Sequence, residues 1–483
     1  MTTLSPSSGE YRTILSCCLR SALIIGLILS AALLTSCMVG PDYEAPIVPT
    51  PEAYKYAPGV DLKPMVYEGP WWYIFNDKRL NELVDRVDGG NFDLMAAAAR
   101  VRQALATARI QKSPLFPFLS ADPDYQKREF SETTDGSTGG ASSTWRFPFN
   151  AAYEIDLFGR IRRGYQAAMA DAQSAEEDFE AILLILRSEV AIDYFALRSF
   201  DEEIRIVDRA VDVRQEQLKI LDSRFEFGIV SQLPVAQAKA ELNATQALLF
   251  ALRRERAILE NAIAVLLGLP PSEFSIPFTP LKGEPPHIPL TVPSRLLVKR
   301  PDIRRAERNL AAANARIGVA AAEFYPQVNI RADAGLASSH YSNLFDSRSF
   351  TWGIGPNISI PLFEGGRLSA NLERTRAAYA EQYASYRQTI IDAFGEVEDA
   401  LVSVQLLKKQ DEANQLAVEA SRQAYDLSQR QFEGGLVNYL NVLDTERVLL
   451  ENSRLESRIR GQRYTSAVNL IKAIGGGWGA PVD

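Results

Sequence analysis

Little in this sequence is equipped for covalent or acid–base chemistry. Its two histidines stand apart, His287 in a proline-rich stretch and His340 in a predicted loop, and neither has a second ligand at metal-binding spacing. Two acidic clusters, "SAEEDFE" from Ser174 and "FDEEI" from Phe200, bring carboxylates close enough for general acid–base work. Both fall on long helical stretches, at heptad positions that read as exposed, and so are expected to be solvated. Neither a phosphate-cradling loop nor a nucleophile motif occurs. The sequence therefore implies no catalytic residue, no metal site and no cofactor.

One residue has a predicted chemical fate, Cys37. Ser21 to Leu34 is an apolar run too short to span a membrane comfortably and reads as the h-region of a signal peptide. It ends in Leu34-Thr35-Ser36-Cys37, where small residues precede a thiol that can accept diacylglycerol. That pattern resembles a lipobox, with 1–36 as signal and Cys37 as the acylated new N-terminus; the alternative is a cysteine that merely ends a membrane anchor. Cys17 and Cys18 would leave with the signal, so no disulfide is expected. Cleavage removes two of 52 basic and one of 60 acidic residues, and 50 minus 59 leaves a net charge of −9. An acidic chain of this kind argues against nucleic acid as a partner.

The remaining segments are read as scaffolding. Residues 37–76 form a Pro- and Tyr-punctuated extended arm, and a short amphipathic helix follows near Asp77 to Val87. Pro270 to Pro301 holds nine prolines and separates two halves, 77–269 and 302–475, ahead of a tail at 476–483. The halves match piece by piece. "ARI" at 108 answers "ARI" at 315, "TWRFPFNAAYEIDLFGRI" at 144 answers "TWGIGPNISIPLFEGGRL" at 351, and "RFEFGIVSQL" at 224 answers "QFEGGLVNYL" at 431.

Strict two-residue alternation predicts two strands in each half. Trp145 to Leu157, Val328 to Leu336 and Thr351 to Leu362 are clear, whereas Leu119 to Lys127 is weak; 131–144 and 338–349 read as loops. One apolar and one polar face suits a soluble sheet over a helix or an outer-membrane barrel whose outside meets lipid. Four strands cannot close a barrel and open edges cannot face lipid, so the barrel reading requires several chains, and three would supply twelve strands.

The rest of each half is helix on a large scale. No proline interrupts 149–233 or 362–480, so a helix from about Ile161 to Phe225 could run roughly 95 Å at ~1.5 Å per residue. Positions 179 to 221 in alternating steps of four and three are apolar except Asp193 and Arg214, which is a coiled-coil seam. The second half follows the same seam from Tyr386 to Leu407 and then slips register. Gly228 and Gly434-Gly435 fall where each long helix turns back into the next, Gln232 to Leu267 and Val437 to Ile474.

The chain resembles the TolC-like outer-membrane factors, and among them the lipidated NodT/OprM-type channels of efflux systems. The resemblance covers nearly all of the mature chain and rests on "VGPDYEAP" after the lipobox, "WWYIFNDKRLNELV", "FYPQVNI", "PLFEGGRL" and "FEGGLVNYLNVLDTERVLL" in that order. It implies an α+β membrane protein: a homotrimer with a twelve-stranded outer-membrane β-barrel, four strands per chain, continued by a twelve-helix periplasmic coiled-coil barrel with a mixed equatorial belt. It also implies contact of Phe227, Gly228, Ile229, Gly435, Leu436 and Val437 with a periplasmic adaptor protein serving an inner-membrane pump. Asp444 matches an acidic gate position, and Asn441 stands where some relatives carry a second aspartate. The expected function is export of small molecules through a tripartite, RND-type system. The alternatives are the channel of an ABC-driven protein secretion system and a lipid-anchored periplasmic coiled-coil scaffold without a pore.

Overall fold

The 207-residue offset between the halves recurs in the backbone. The computed structural model describes residues 38–56, 69–131, 133, 140–288 and 299–476. The predicted signal peptide, the acylation of Cys37 and all but the first residue of the 476–483 tail lie outside them. Helices α1 (Lys78–Gly90) and α2 (Phe92–Lys112) precede strands β1 (Phe118–Ala121), β2 (Asp124–Phe130) and β3 (Gly140–Ile155), followed by α3 (Arg160–Glu226) and α4 (Gln232–Leu266). The second half runs α5 (Pro301–Ala322), β4 (Gln327–Ser338), β5 (Phe350–Ser359), α6 (Arg367–Glu433) and α7 (Tyr439–Ala473). Helices α3 and α6 are 67 residues each and α4 and α7 are 35 each; 367 minus 160 and 439 minus 232 both give 207. Pro234 sits in the first turn of α4, where its missing N–H costs nothing.

The described chain forms two compact units, and each draws on both halves. One comprises Met1–Pro46, Arg102–Ser174 and Glu307–Ser385; the other Ile47–Val101, Ala175–Ala306 and Tyr386–Asp483. The unit boundaries therefore cut across the repeats instead of falling at the proline-rich segment.

The first unit carries one antiparallel sheet in the order β1-β3-β4-β5, with β2 also on β3. The weak first strand is broken, because Pro123 has no N–H for the ladder and the chain leaves it between Ala121 and Asp124. Strand β3 begins earlier than its alternation suggested, with Gly140 opposite Phe130, which shortens the loop. Strand β5 stops at Ser359, before Pro361, so Leu362 lies beyond the sheet. The register puts Trp145, Phe147, Phe149, Ala151, Tyr153 and Ile155 of β3 on one face with Leu336, Ala334, Ala332, Ile330 and Val328 of β4. Trp352, Ile354 and Ile358 of β5 continue that face, and all three are exposed. The opposite face carries Arg146, Asn150, Glu154, Arg331 and Asp333.

The arm also docks in this unit. Buried Arg163 donates to the carbonyls of Val39 and Gly40 and pairs with Asp42 at 2.8 Å, Asn314 donates to the Pro41 carbonyl at 3.0 Å, and the Tyr43 hydroxyl bonds Glu307 at 2.5 Å. Farther along, the arm is not wholly extended, since Trp71–Phe75 forms a 3-10 helix.

The second unit is helical. Its largest core joins α1, α3, α4, α6 and α7 around Leu83, Tyr194, Phe195, Ile263, Val397 and Ile471. Asp77 caps α1 by accepting from the N–H of Arg79 and Leu80, and it also accepts from the Tyr194 hydroxyl at 2.7 Å. The proline-rich segment is pinned by charge: Arg198 and Arg256 donate to the carbonyls of Pro277 and Ile276, and both bind Asp201.

That last contact corrects the solvated reading of the acidic clusters. Asp201, Glu202 and Glu203 are buried, and Glu203 is pinched between Arg454 at 2.7 Å and Arg458 at 2.8 Å. In the other cluster Glu177 and Asp178 pair with Arg304 and Arg305, while Glu176 and Glu180 are exposed. Heptad position sees one helix at a time: Arg198 and Arg205 of α3 itself pair with Asp201 and Glu202, but Arg256, Arg304, Arg305, Arg454 and Arg458 come from other elements.

Candidate functional site

The two tips close by the same geometry. At the end of α3 the N–H of Gly228 bonds the Phe225 carbonyl at 2.9 Å and that of Ile229 the Arg224 carbonyl at 2.8 Å. At the end of α6 the N–H of Gly435 bonds Phe432 at 3.0 Å and that of Leu436 bonds Gln431 at 2.8 Å. This paired pattern ends a helix with a left-handed residue. Gly228 has φ +70° and Gly435 φ +75°, so a side chain at either is strained although open space surrounds it.

Phe227, Ile229 and Leu436 are exposed, with relative accessibilities of 80%, 69% and 79%, while Val437 is half-buried. Three large apolar side chains bare beside two open glycines make an apolar rim. The tips are neighbours, since the Arg224 guanidinium lies 5.5 Å over the ring of Phe432. Immediately behind them Leu221, Ala238, Tyr439, Val442 and Leu443 form a small core drawn from α3, α4 and α7. Burial pushes the Tyr439 phenol well up, helped by Glu446, and its hydroxyl donates to Gln217 at 3.2 Å.

Asn441 and Asp444 are exposed on the first two turns of α7, where the Asn438 side chain caps the helix. Asp444 lies 3.6 Å from the Arg447 guanidinium. Arg447 also pairs with Glu241 of α4, and this hydrogen bond holds the Glu241 carboxyl below its usual range. Arg214 of α3 then binds Glu446 at 3.0 Å, Glu241 at 3.2 Å and the Thr245 hydroxyl. This buried cluster was missed from sequence. Its signal was Arg214 itself, one of two residues breaking the apolar seam. Among the described residues no group of three or more His, Cys, Asp or Glu is placed to hold a metal, and no helix is long and apolar enough to cross a membrane.

A family profile described as outer membrane efflux protein matches residues 83–269 and 292–476. The chain belongs to the outer membrane efflux protein family. This efflux protein is 30% identical over 463 residues to the antibiotic efflux pump outer membrane protein ArpC of Pseudomonas putida, covering 94% of this chain and 96% of ArpC. It is also 30% identical over 457 residues to the cation efflux system protein CusC of Escherichia coli O6:H1, covering 93% and 97%. The solved outer-membrane channel OprN superposes with a TM-score of 0.86 at 29% identity, over 92% of this chain and 100% of OprN. The efflux protein thus has the fold of an outer-membrane channel and serves in the outer membrane.

Proposed function

We propose that three copies of this chain form the exit duct of a tripartite pump, with the rim at Phe227-Gly228-Ile229 and Gly435-Leu436-Val437 docking a periplasmic adaptor. The observation that carries this reading is the sheet. Its apolar face is bare, and its two edges, β5 and β1 with β2, have no partner strand among the described residues. Unpaired backbone in hydrocarbon costs several kcal/mol per group, so the edges are closed by other copies. With β1 and β2 counted as one interrupted strand, each copy brings four, and three copies make twelve.

Asp444 then faces the entrance as a ring of three carboxylates, and Asn441 adds a neutral polar ring one turn nearer the tip. The cargo is small molecules, delivered by an inner-membrane pump; among the relatives, ArpC is named for antibiotics and CusC for cations. The test is reconstitution. Protein extracted from membranes should migrate as a trimer that dissociates on boiling, and should open discrete conductances in a planar bilayer. A monomer released from the membrane by high salt, with no conductance, would overturn the reading.

A further inference from the structure

We propose that the contact between one copy and the next is the image of the contact between the two repeats inside a chain, pairing Glu381 with Arg102 of the partner subunit and packing Leu406 on Phe250 of the partner subunit. This rests on the oligomeric channel reading and names the surface that holds it together. In a closed ring of repeats, what the first repeat presents to the second within a chain, the second presents to the first of the next copy.

The internal contacts can therefore be carried across by the 207-residue offset. In the sheet-bearing unit the Ser174 hydroxyl of α3 bonds Asn309 of α5 at 2.6 Å. In the helical unit Ser199 of α3 and Ser457 of α7 exchange hydroxyl-to-carbonyl bonds, both of 3.0 Å. Adding 207 on α3 and subtracting 207 on its partners turns Ser174 and Asn309 into Glu381 and Arg102. The same step turns Ser199 and Ser457 into Leu406 and Phe250.

The image residues are what an interface would need. Glu381 and Arg102 are exposed, carry opposite charges, and have no ion-pair partner among the described residues. Leu406 and Phe250 are both apolar and stand 56% and 65% exposed on helices. Thus a serine pair inside the chain is replaced by an apolar pair at its image, and a neutral hydrogen bond by an ion pair. The Asp171–Arg316 pair, by contrast, maps onto Ala378 and Arg109, so Arg109 has no charged image partner and serves as a control.

The experiment is a charge-reversal cycle read as the temperature at which the detergent-extracted trimer dissociates on a gel. Arg102→Glu and Glu381→Arg should each lower it, the double variant should recover most of the loss, and Arg109→Glu should leave it unchanged. In parallel, oxidation of a Leu406→Cys/Phe250→Cys variant should give covalent dimers and trimers that neither single cysteine variant gives. If the trimer forms but the double reversal is no better than the singles and the cysteine pair does not link, the interface assignment is wrong while the channel reading stands. If the unaltered protein is monomeric in the membrane, both fall together.

Discussion

Arg214 Nε lies 3.0 Å from Glu446 Oε1, joining α3 of the first repeat to α7 of the second behind the tips, with both side chains buried. A buried pair loses most when only one member is removed, because the other charge is left without compensation; the cost is about 3–5 kcal/mol. Arg214→Met should therefore lower the thermal midpoint sharply. Adding Glu446→Leu should restore much of it, since an apolar pair needs no neutralisation. A double variant no more stable than Arg214→Met would show that Glu446 is not what the arginine compensates.

How far such features were legible differs by scale. The offset, the long helices and the glycine turns were plain because they depend on local sequence: proline placement, period and residues that tolerate positive φ. Asp193 and Arg214 were visible as exceptions in an apolar seam. The partner of Arg214 was not, because Glu446 lies 232 positions away and no period connects them. Asp201 and Glu203 were misread for the same reason, since arginines 55 and 251 positions away bury them. The interrupted first strand was weak in alternation because Pro123 breaks it.

The rim reading predicts separable effects at the tips. Gly228→Val and Gly435→Val put a β-branched side chain at φ +70° and +75°, on surfaces with open space around the new Cβ. Expected are a stability loss of about 1–2 kcal/mol from backbone strain, read as a small fall in the thermal midpoint, and a large loss of efflux at normal protein level, measured as cargo accumulation in cells. Normal efflux in both variants would remove the tips from the docking surface.

The sheet makes a prediction about lipid. Phe149 and Ile358 are exposed on the apolar face. Arginine at either should cost about 2–4 kcal/mol per copy near the bilayer midplane. Asn150, the next residue on the opposite face, should accept arginine with little loss of trimer. Equal trimer yields for Phe149→Arg, Ile358→Arg and Asn150→Arg would mean that the face does not meet lipid.

At the entrance, the sign of two variants should differ. On the proposed gate reading, Asp444→Ala removes three carboxylates from a ring at the entrance and should reduce cation selectivity in single-channel reversal potentials. Arg447, 3.6 Å away, offsets Asp444 in each copy, so Arg447→Gln should increase it. Both effects should shrink as salt rises, because exposed charges are screened. Selectivity unchanged in both variants would place Asp444 away from the conduction path.

The second exception in the seam is Asp193, whose carboxyl burial, with a smaller push from Glu189, raises to about 6. The unfolded group titrates near 3.9. Between about pH 4 and pH 6 the folded state therefore holds more proton at this site than the unfolded one, so stability is lost as pH rises through that window and stays lower above it. Asparagine keeps the shape without the charge. Asp193→Asn should match the parent protein below pH 4, gain thermal stability between pH 4 and 6, and hold that gain at pH 7.5. A midpoint gap that does not change with pH, or a variant less stable at pH 7.5, would show that the charge on Asp193 is compensated in the assembled protein.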